Sequence, residues 1–241
     1  MPYAVELHGP EGEQLNTYSS ARFPIGTKLI QQGGRTYRFA LNGGATLVRG
    51  DVLQGPANVA NHVGLTAAAM AAGTRAPTQL LGATAAVINE YAGGYASIQI
   101  TPDGGSMYVI DNHAAVLSSG TITANLAQGY NINTAWTTDT RVDFVHNPFR
   151  GVIEVPVTTI TQAIVGVAIS VPTTGLYCWV QTGGPATVYT SGTQILGNPA
   201  AYIQVAGAAG PPATFATDFV IGEVMRVGTT TNWSMVYLRL E

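Results

Sequence analysis

The stretch Tyr177-Cys-Trp-Val-Gln-Thr-Gly-Gly-Pro-Ala-Thr187 indicates the fold class of this chain of 241 residues. Aromatic residues two positions apart pack on one face of a β-strand, and a Gly-Gly pair supplies a turn with positive φ. The earlier stretch Tyr37-Arg-Phe-Ala-Leu-Asn-Gly-Gly-Ala-Thr46 has the same pattern. The repetition predicts two related β-units. Their predicted core aromatics are Tyr37, Phe39, Tyr177 and Trp179.

Further strands with alternating apolar residues lie between and after these two stretches. Ala96, Ile98 and Ile100 alternate with polar residues, and the Gly-rich turn Thr101–Gly105 leads into Met107–Ile110, which predicts a β-hairpin. Alternation also places Val142, Phe144 and His146 on one strand face and runs through Trp233–Leu238. Leu65–Ala72 has the propensity of a short helix. The chain is therefore predicted to be mainly β, built of β-sandwich or barrel-like units.

The charge distribution narrows the classes of function. Charged residues make up 10% of the chain, against about 25% in typical soluble domains. Residues 156–217 contain no Lys, Arg, Asp, Glu or His, although proton transfer and charge stabilisation in enzymes depend on such groups. The net charge of −3 offers no basic surface for nucleic acid. We expect a structural protein of an assembly, with the charge-free stretch buried in a core and in a contact between subunits.

The first residues differ from the rest of the chain. Residues 1–25 are polar and rich in turn-forming residues, which predicts an extended N-terminal arm. Tyr3, Val5 and Leu7 alternate, as in a strand that adds to the sheet edge of a partner. Together with Tyr18 they are the predicted contact residues of the arm.

The remaining chain is predicted to form two β-rich domains, residues 26–150 and residues 151–241. The second is expected to be related in part to residues 34–57, which contain the first copy of the repeat. No signal-peptide pattern follows Met1, and no apolar run is long enough to cross a bilayer. We therefore expect synthesis in a cytosol and no contact with membranes.

Candidate catalytic and ligand-binding motifs are weak. Arg49-Gly-Asp51 matches an integrin-binding tripeptide, but three residues carry little information. Asp103 and Asp111-Asn-His113 contain metal-ligand types, yet their contexts favour solvated turns. The single cysteine, Cys178, has apolar neighbours, which predicts a buried, inert thiol. The sequence predicts a protein that is not an enzyme and that holds no metal or cofactor.

Several segments resemble the capsid decoration (cement) proteins of some tailed bacteriophages. They are Gly34–Gly44, Leu81–Ala86, Tyr91–Tyr95, Asn147–Gly151 and Tyr177–Pro185. The resemblance implies a β-rich protein on the outer surface of a phage head. It also implies binding to the major capsid protein, commonly as a homotrimer, and no catalytic residues.

Two alternatives remain open from the sequence. One is another part of a virion, such as a head fibre or a tail protein. The other is a β-module that binds carbohydrate, which requires an aromatic platform with a carboxylate nearby. Trp136 and Asp139 are the candidate residues for such a platform.

Overall fold

The computed structural model describes residues 6–213, 218–228 and 232–241. The protein is mainly β, as predicted. Two short 3-10 helices cover Glu13–Leu15 and Ala60–His62. The strands are β1 Glu6–His8, β2 Lys28–Gln31, β3 Arg35–Asn42, β4 Val52–Gln54, β5 Leu65–Thr66, β6 Thr78–Leu80, β7 Tyr95–Ile98, β8 Met107–Asn112, β9 Thr121–Thr123, β10 Asn125–Leu126, β11 Arg141–Val145, β12 Arg150–Glu154, β13 Ile164–Ala168, β14 Tyr177–Thr190, β15 Pro199–Tyr202, β16 Ala209–Gly210, β17 Phe219–Arg226 and β18 Asn232–Arg239.

The chain divides into two compact units. The first contains Met1–Pro56 and Pro148–Glu241, and the second contains Ala57–Asn147. This division differs from the predicted domains 26–150 and 151–241. The reason is long-range pairing: β3 pairs with β12 and β14, so residues 26–56 belong with the C-terminal part of the chain. The second unit is inserted between β4 and β12.

The sheet of the first unit closes on itself twice. Strands β3, β12, β4, β13 and β14 form one ring of hydrogen-bonded neighbours. Strands β14, β16, β15, β17 and β18 form another. The long strand β14 belongs to both rings, since its first half pairs with β3 and its second half with β18. The unit therefore consists of two small barrels that share one strand.

Each ring has its own apolar core. The first is lined by Leu47 and by residues of every strand of its ring: Ala40, Leu53, Val152, Val165, Ala168, Cys178 and Val180. The second core includes Val188, Ala200, Tyr202, Ala209, Ile221, Val224, Val236 and Leu238. The Cys178 thiol lies inside the first barrel, and its burial raises its pKa to about 12. At neutral pH the thiol is therefore protonated and unreactive.

The two similar stretches lie next to each other in the first barrel. β3 and β14 are antiparallel, with Trp179 opposite Phe39 and Gln181 opposite Tyr37. Tyr37, Phe39 and Trp179 are fully buried in one aromatic cluster. Tyr177 is half-buried, and its ring stacks on Phe39 with centroids 5.7 Å apart. The expected pair of separate β-units is therefore replaced by adjacent strands of one barrel.

Residues 6–25 pack against the same aromatic cluster. β1 runs parallel to β2, and Leu7 and Tyr18 contact the cluster. The Tyr18 N–H donates to the Tyr177 carbonyl at 2.9 Å, and the Tyr177 N–H donates back at 2.8 Å. The prediction of an extended arm is therefore wrong for these residues, because the strand adds to its own chain and covers aromatic rings that would otherwise face water. Tyr3 and Val5 lie outside the described residues.

The second unit contains a five-stranded sheet in the order β10-β8-β7-β11-β5 and a two-stranded sheet of β6 and β9. The predicted hairpin is confirmed, since β7 and β8 pair antiparallel. The predicted helix at Leu65–Ala72 is wrong. Leu65–Thr66 forms β5, and Met70 forms an isolated bridge to Trp136. Pairing with β11 buries Leu65 and Ala67 in the core, which outweighs the helical propensity of alanine.

Candidate interaction surfaces

The Arg49-Gly-Asp51 tripeptide has a structural role. Gly50 has a φ of +93°, and a Cβ there would come within 2.6 Å of the Trp233 ring. Only glycine therefore fits beneath this indole. Asp51 is 6% exposed and accepts a hydrogen bond from the Val48 N–H at 3.1 Å. The tripeptide cannot present its carboxylate as an adhesion ligand.

Asp103 is a buried acceptor rather than a solvated turn residue. Its carboxylate accepts hydrogen bonds from the Tyr108 hydroxyl at 2.6 Å and from Trp136 Nε1 at 2.8 Å. The Ser106 hydroxyl donates a third, at 2.8 Å. Because Trp136 is only 2% exposed, it offers no platform for a sugar together with Asp139. The carbohydrate site expected from these two residues is therefore wrong.

The histidines of the second unit surround Tyr91. His113 is buried, and its Nε2 accepts the Tyr91 N–H at 3.0 Å. His62 hydrogen-bonds the Tyr91 hydroxyl, and the ring of His146 stacks on Tyr91 with centroids 4.7 Å apart. His146 Nε2 also lies 3.2 Å from Glu90 Oε1. In the described part of the chain, no group of three or more His, Cys, Asp or Glu could hold a metal. The three imidazole rings pack against the ring of Tyr91.

An exposed apolar surface lies on the second unit. We call Leu80, Val87, Ile88 and Leu117 the apolar ribbon; they are 60%, 66%, 67% and 82% exposed. The bridge between Ala86 and Val116 brings the segment with Val87 and Ile88 next to the segment with Leu117. Ala86 points into the core, so its neighbour Val87 points outward.

The two segments that carry the ribbon, residues 76–89 and residues 114–138, contain no charged side chain. The next charge along the chain, Glu90, is engaged by the Val87 N–H and by His146. Sequence patterns do not reveal this surface, because its two segments are brought together by the pairing of Ala86 with Val116, 30 positions along the chain. Exposed apolar patches of this kind commonly mark interaction sites.

A second exposed surface lies on the first unit. Along β18, Trp233, Met235 and Tyr237 are 48%, 40% and 41% exposed. They alternate with the buried residues Ser234, Val236 and Leu238. We call the three exposed residues the β18 stripe. Unlike the ribbon, the stripe has charged neighbours across the strands, since Glu223 pairs with Tyr237 and Arg226 with Met235.

Comparisons with known protein families, with curated proteins and with solved structures found no match. None of the helices in the described ranges has the length and apolar character needed to cross a membrane.

Proposed function

We propose that this protein is a structural virion component, a decoration protein that binds the outer surface of a tailed-phage head. The sequence resemblance and the low charge support this function. The observation that carries it is the apolar ribbon, where four large aliphatic side chains are exposed on two chain segments that contain no charged residue. We assign the ribbon to contact with the major capsid protein. Leu7 and Tyr18 are unsuited to this role, because both are engaged by their own chain.

The energy of the ribbon favours attachment at several points. At about 1.5–3 kcal/mol for a fully buried aliphatic side chain, covering the exposed parts of these four residues contributes about 4–8 kcal/mol. Association costs about 4–15 kcal/mol in lost freedom, so one ribbon alone binds weakly. A homotrimer presents three ribbons, and after the first contact the others bind at high effective concentration. A capsid lattice supplies the matching repeats.

The ribbon is tested with Leu117→Glu and Val87→Glu, whose side chains already face solvent. Each variant is added to heads purified from the parent virus after deletion of the gene for this protein. We expect an unchanged melting temperature and at least a tenfold loss of head binding, measured by co-sedimentation. Leu196→Glu is the matched control, since Leu196 is also 66% exposed but lies in the first unit.

Three outcomes would contradict the proposal. Normal head binding by both ribbon variants would remove the ribbon from the contact. Failure of the unmodified protein to bind heads, with binding to tails or fibres instead, would place it elsewhere in the virion. Loss of self-association without loss of head binding would assign the ribbon to the contact between copies of this chain.

A further inference from the structure

A cavity of about 510 Å³ lies in the first unit, beside Trp233 of the β18 stripe. This volume is within the range of about 300–1,000 Å³ typical of small-molecule sites. Its wall includes the half-exposed Trp233 indole and the apolar side chains of Leu15 and Ile169. Trp233 Nε1 donates to the Arg49 carbonyl at 2.9 Å, which fixes the orientation of the ring. The cavity therefore has a rigid aromatic wall.

Two buried amides line this cavity and have hydrogen-bonding capacity left. Gln14 is 8% exposed and Gln181 is 3% exposed. Gln14 Oε1 accepts the Gly12 N–H at 2.8 Å, and Gln181 Nε2 donates to the Pro185 carbonyl at 2.8 Å. These backbone partners fix which amide atom is oxygen and which is nitrogen.

The remaining amide atoms are Gln14 Nε2 and Gln181 Oε1, for which no hydrogen-bond partner exists among the described residues. Neither is among the fully buried polar atoms that lack a partner, so each atom retains some exposure, and both residues line the cavity. The cavity thus offers one neutral donor and one neutral acceptor, held in place by the backbone. Buried polar groups with free capacity are costly unless a ligand or water completes them.

The rim of the cavity carries positive charge. Arg49 is exposed, and its guanidinium has no acidic partner in the described ranges of the chain. Arg35 also lines the cavity, but its Nη2 is paired with Glu11 Oε1 at 2.5 Å. Arg49 is therefore the cation that is free to bind an anionic group of a ligand. A guanidinium binds a carboxylate through two parallel hydrogen bonds.

A second cavity of about 570 Å³ adjoins the first. The two share Arg35, Pro185, Ala186 and Thr187 in their linings, and the second extends to Met235 of the stripe. Together they form a groove rather than a closed cavity. A groove suits a linear chain of several small units better than a single compact ligand.

We propose that this groove binds an acidic oligosaccharide. The face of the Trp233 ring is electron-rich and attracts the C–H bonds on one face of a sugar ring. The two amides match sugar hydroxyls, which both donate and accept, and Arg49 matches the carboxylate of a uronic or sialic acid. This inference does not depend on head attachment, because the groove and the apolar ribbon lie in different units.

The test follows Trp fluorescence during titration with trigalacturonic acid, sialyllactose and the neutral maltotriose. Trp136 and Trp179 are buried, so a spectral change on binding reports the exposed Trp233. We expect at least one acidic probe to bind at least tenfold more tightly than maltotriose at low salt. Arg49→Gln should remove that preference. Arg75→Gln is its matched control, an exposed arginine of the second unit.

A second variant blocks the groove without touching a core. Thr187 is exposed on β14 and lines both cavities, so Thr187→Tyr fills the groove from a solvent-facing position. It should abolish saccharide binding while head binding stays normal, and Leu117→Glu should do the reverse. Thr123→Tyr, on an exposed site of β9, is the control. The proposal would be overturned by saccharide binding that survives Thr187→Tyr, by equal binding of acidic and neutral probes, or by no binding of any probe at about 1 mM.

Discussion

Replacing Asp51 with asparagine is expected to stabilise the protein at neutral pH. Asp51 is 6% exposed and lies close to Glu154, since a Cβ on Gly207 would meet Asp51 Oδ1 and Glu154 Oε1 at the same distance of 2.9 Å. Burial, and secondarily the charge of Glu154, raise the pKa of Asp51 from 3.8 to about 6. The folded protein therefore holds a proton on this carboxyl more tightly than the unfolded chain does.

The sign of the pH dependence follows from this difference. Between about pH 4 and pH 6 the folded state binds more protons, so the free energy of unfolding falls as the pH rises through this window. Each pKa unit corresponds to about 1.4 kcal/mol, so the ionised carboxylate costs up to about 3 kcal/mol at pH 7. The amide of an asparagine carries no charge and keeps an oxygen for the Val48 N–H. Asp51→Asn should therefore recover much of that energy at pH 7 and little at pH 4.

The assay is guanidinium unfolding of both proteins at pH 4 and pH 7, followed by Trp fluorescence. Asp139→Asn serves as the matched control, because Asp139 is exposed. Glu154→Gln should give part of the same gain, since it removes the repulsion but leaves the burial of Asp51. A gain of equal size at both pH values, or a loss of stability at pH 7, would refute the reasoning.

Three further predictions concern packing and buried hydrogen bonds. Trp179→Ala should lower the free energy of unfolding of the first unit by about 3–5 kcal/mol, and an unchanged melting curve would show that the aromatic cluster is not packed as described. Asp103→Ala leaves the donors of Tyr108 and Trp136 without an acceptor and should cost about 1–3 kcal/mol for each, measured by hydrogen exchange in the second unit; unaltered exchange there would contradict this. Deletion of residues 2–24 exposes the aromatic cluster and should lower the melting temperature by about 10 °C or more. An unchanged melting temperature would show that these residues do not contribute to the fold.

Local patterns are enough to predict several of the strands but not their partners. The alternation of Val142 and Phe144 with polar residues identified β11, because one face of that strand is buried. Leu65–Ala72 does not form the predicted helix, because the preference of alanine for helices is weak and pairing with β11 outweighs it. The predicted domain boundaries differ from the observed units for a related reason. The contact between β3 and β14 joins residues about 140 positions apart, and no local signal carries such a pairing.

The exposed surfaces were beyond sequence analysis for the same reason. Gln14, Gln181 and Trp233 come from three distant parts of the chain, and each alone is an ordinary polar or aromatic residue. The predicted role of Leu7 shows the converse case. Its alternation with neighbours correctly indicated a strand that adds to a sheet edge, but the edge is β2 of the same chain. An alternating sequence predicts a strand that pairs with a sheet edge, but it does not show whether that edge belongs to the same chain or to a partner.

The two Gly-Gly pairs of the repeat lie in different structures: Gly43 and Gly44 follow the end of β3, whereas Gly183 and Gly184 lie within β14. The repeat predicted a turn here, yet both glycines lie inside β14, where the strand passes from the first barrel to the second. Gly183 pairs with Thr36 of β3 and also with Arg239 of β18. A Cβ at Gly183 would collide with the Thr36 hydroxyl, and one at Gly184 would come within 2.6 Å of the Gly34 carbonyl.

Because the backbones approach so closely at this point, only residues without a side chain let β14 have partners in both rings. Gly184 also has a φ of +77°, a left-handed backbone conformation that residues with a side chain rarely adopt. A turn would have ended the strand and separated the barrels. Glycine within the strand keeps the backbone hydrogen bonds continuous, so the two cores are joined through one element. If one barrel unfolds, half of β14 loses its hydrogen-bond partners. The other barrel is then destabilised as well, because β14 is one of its strands.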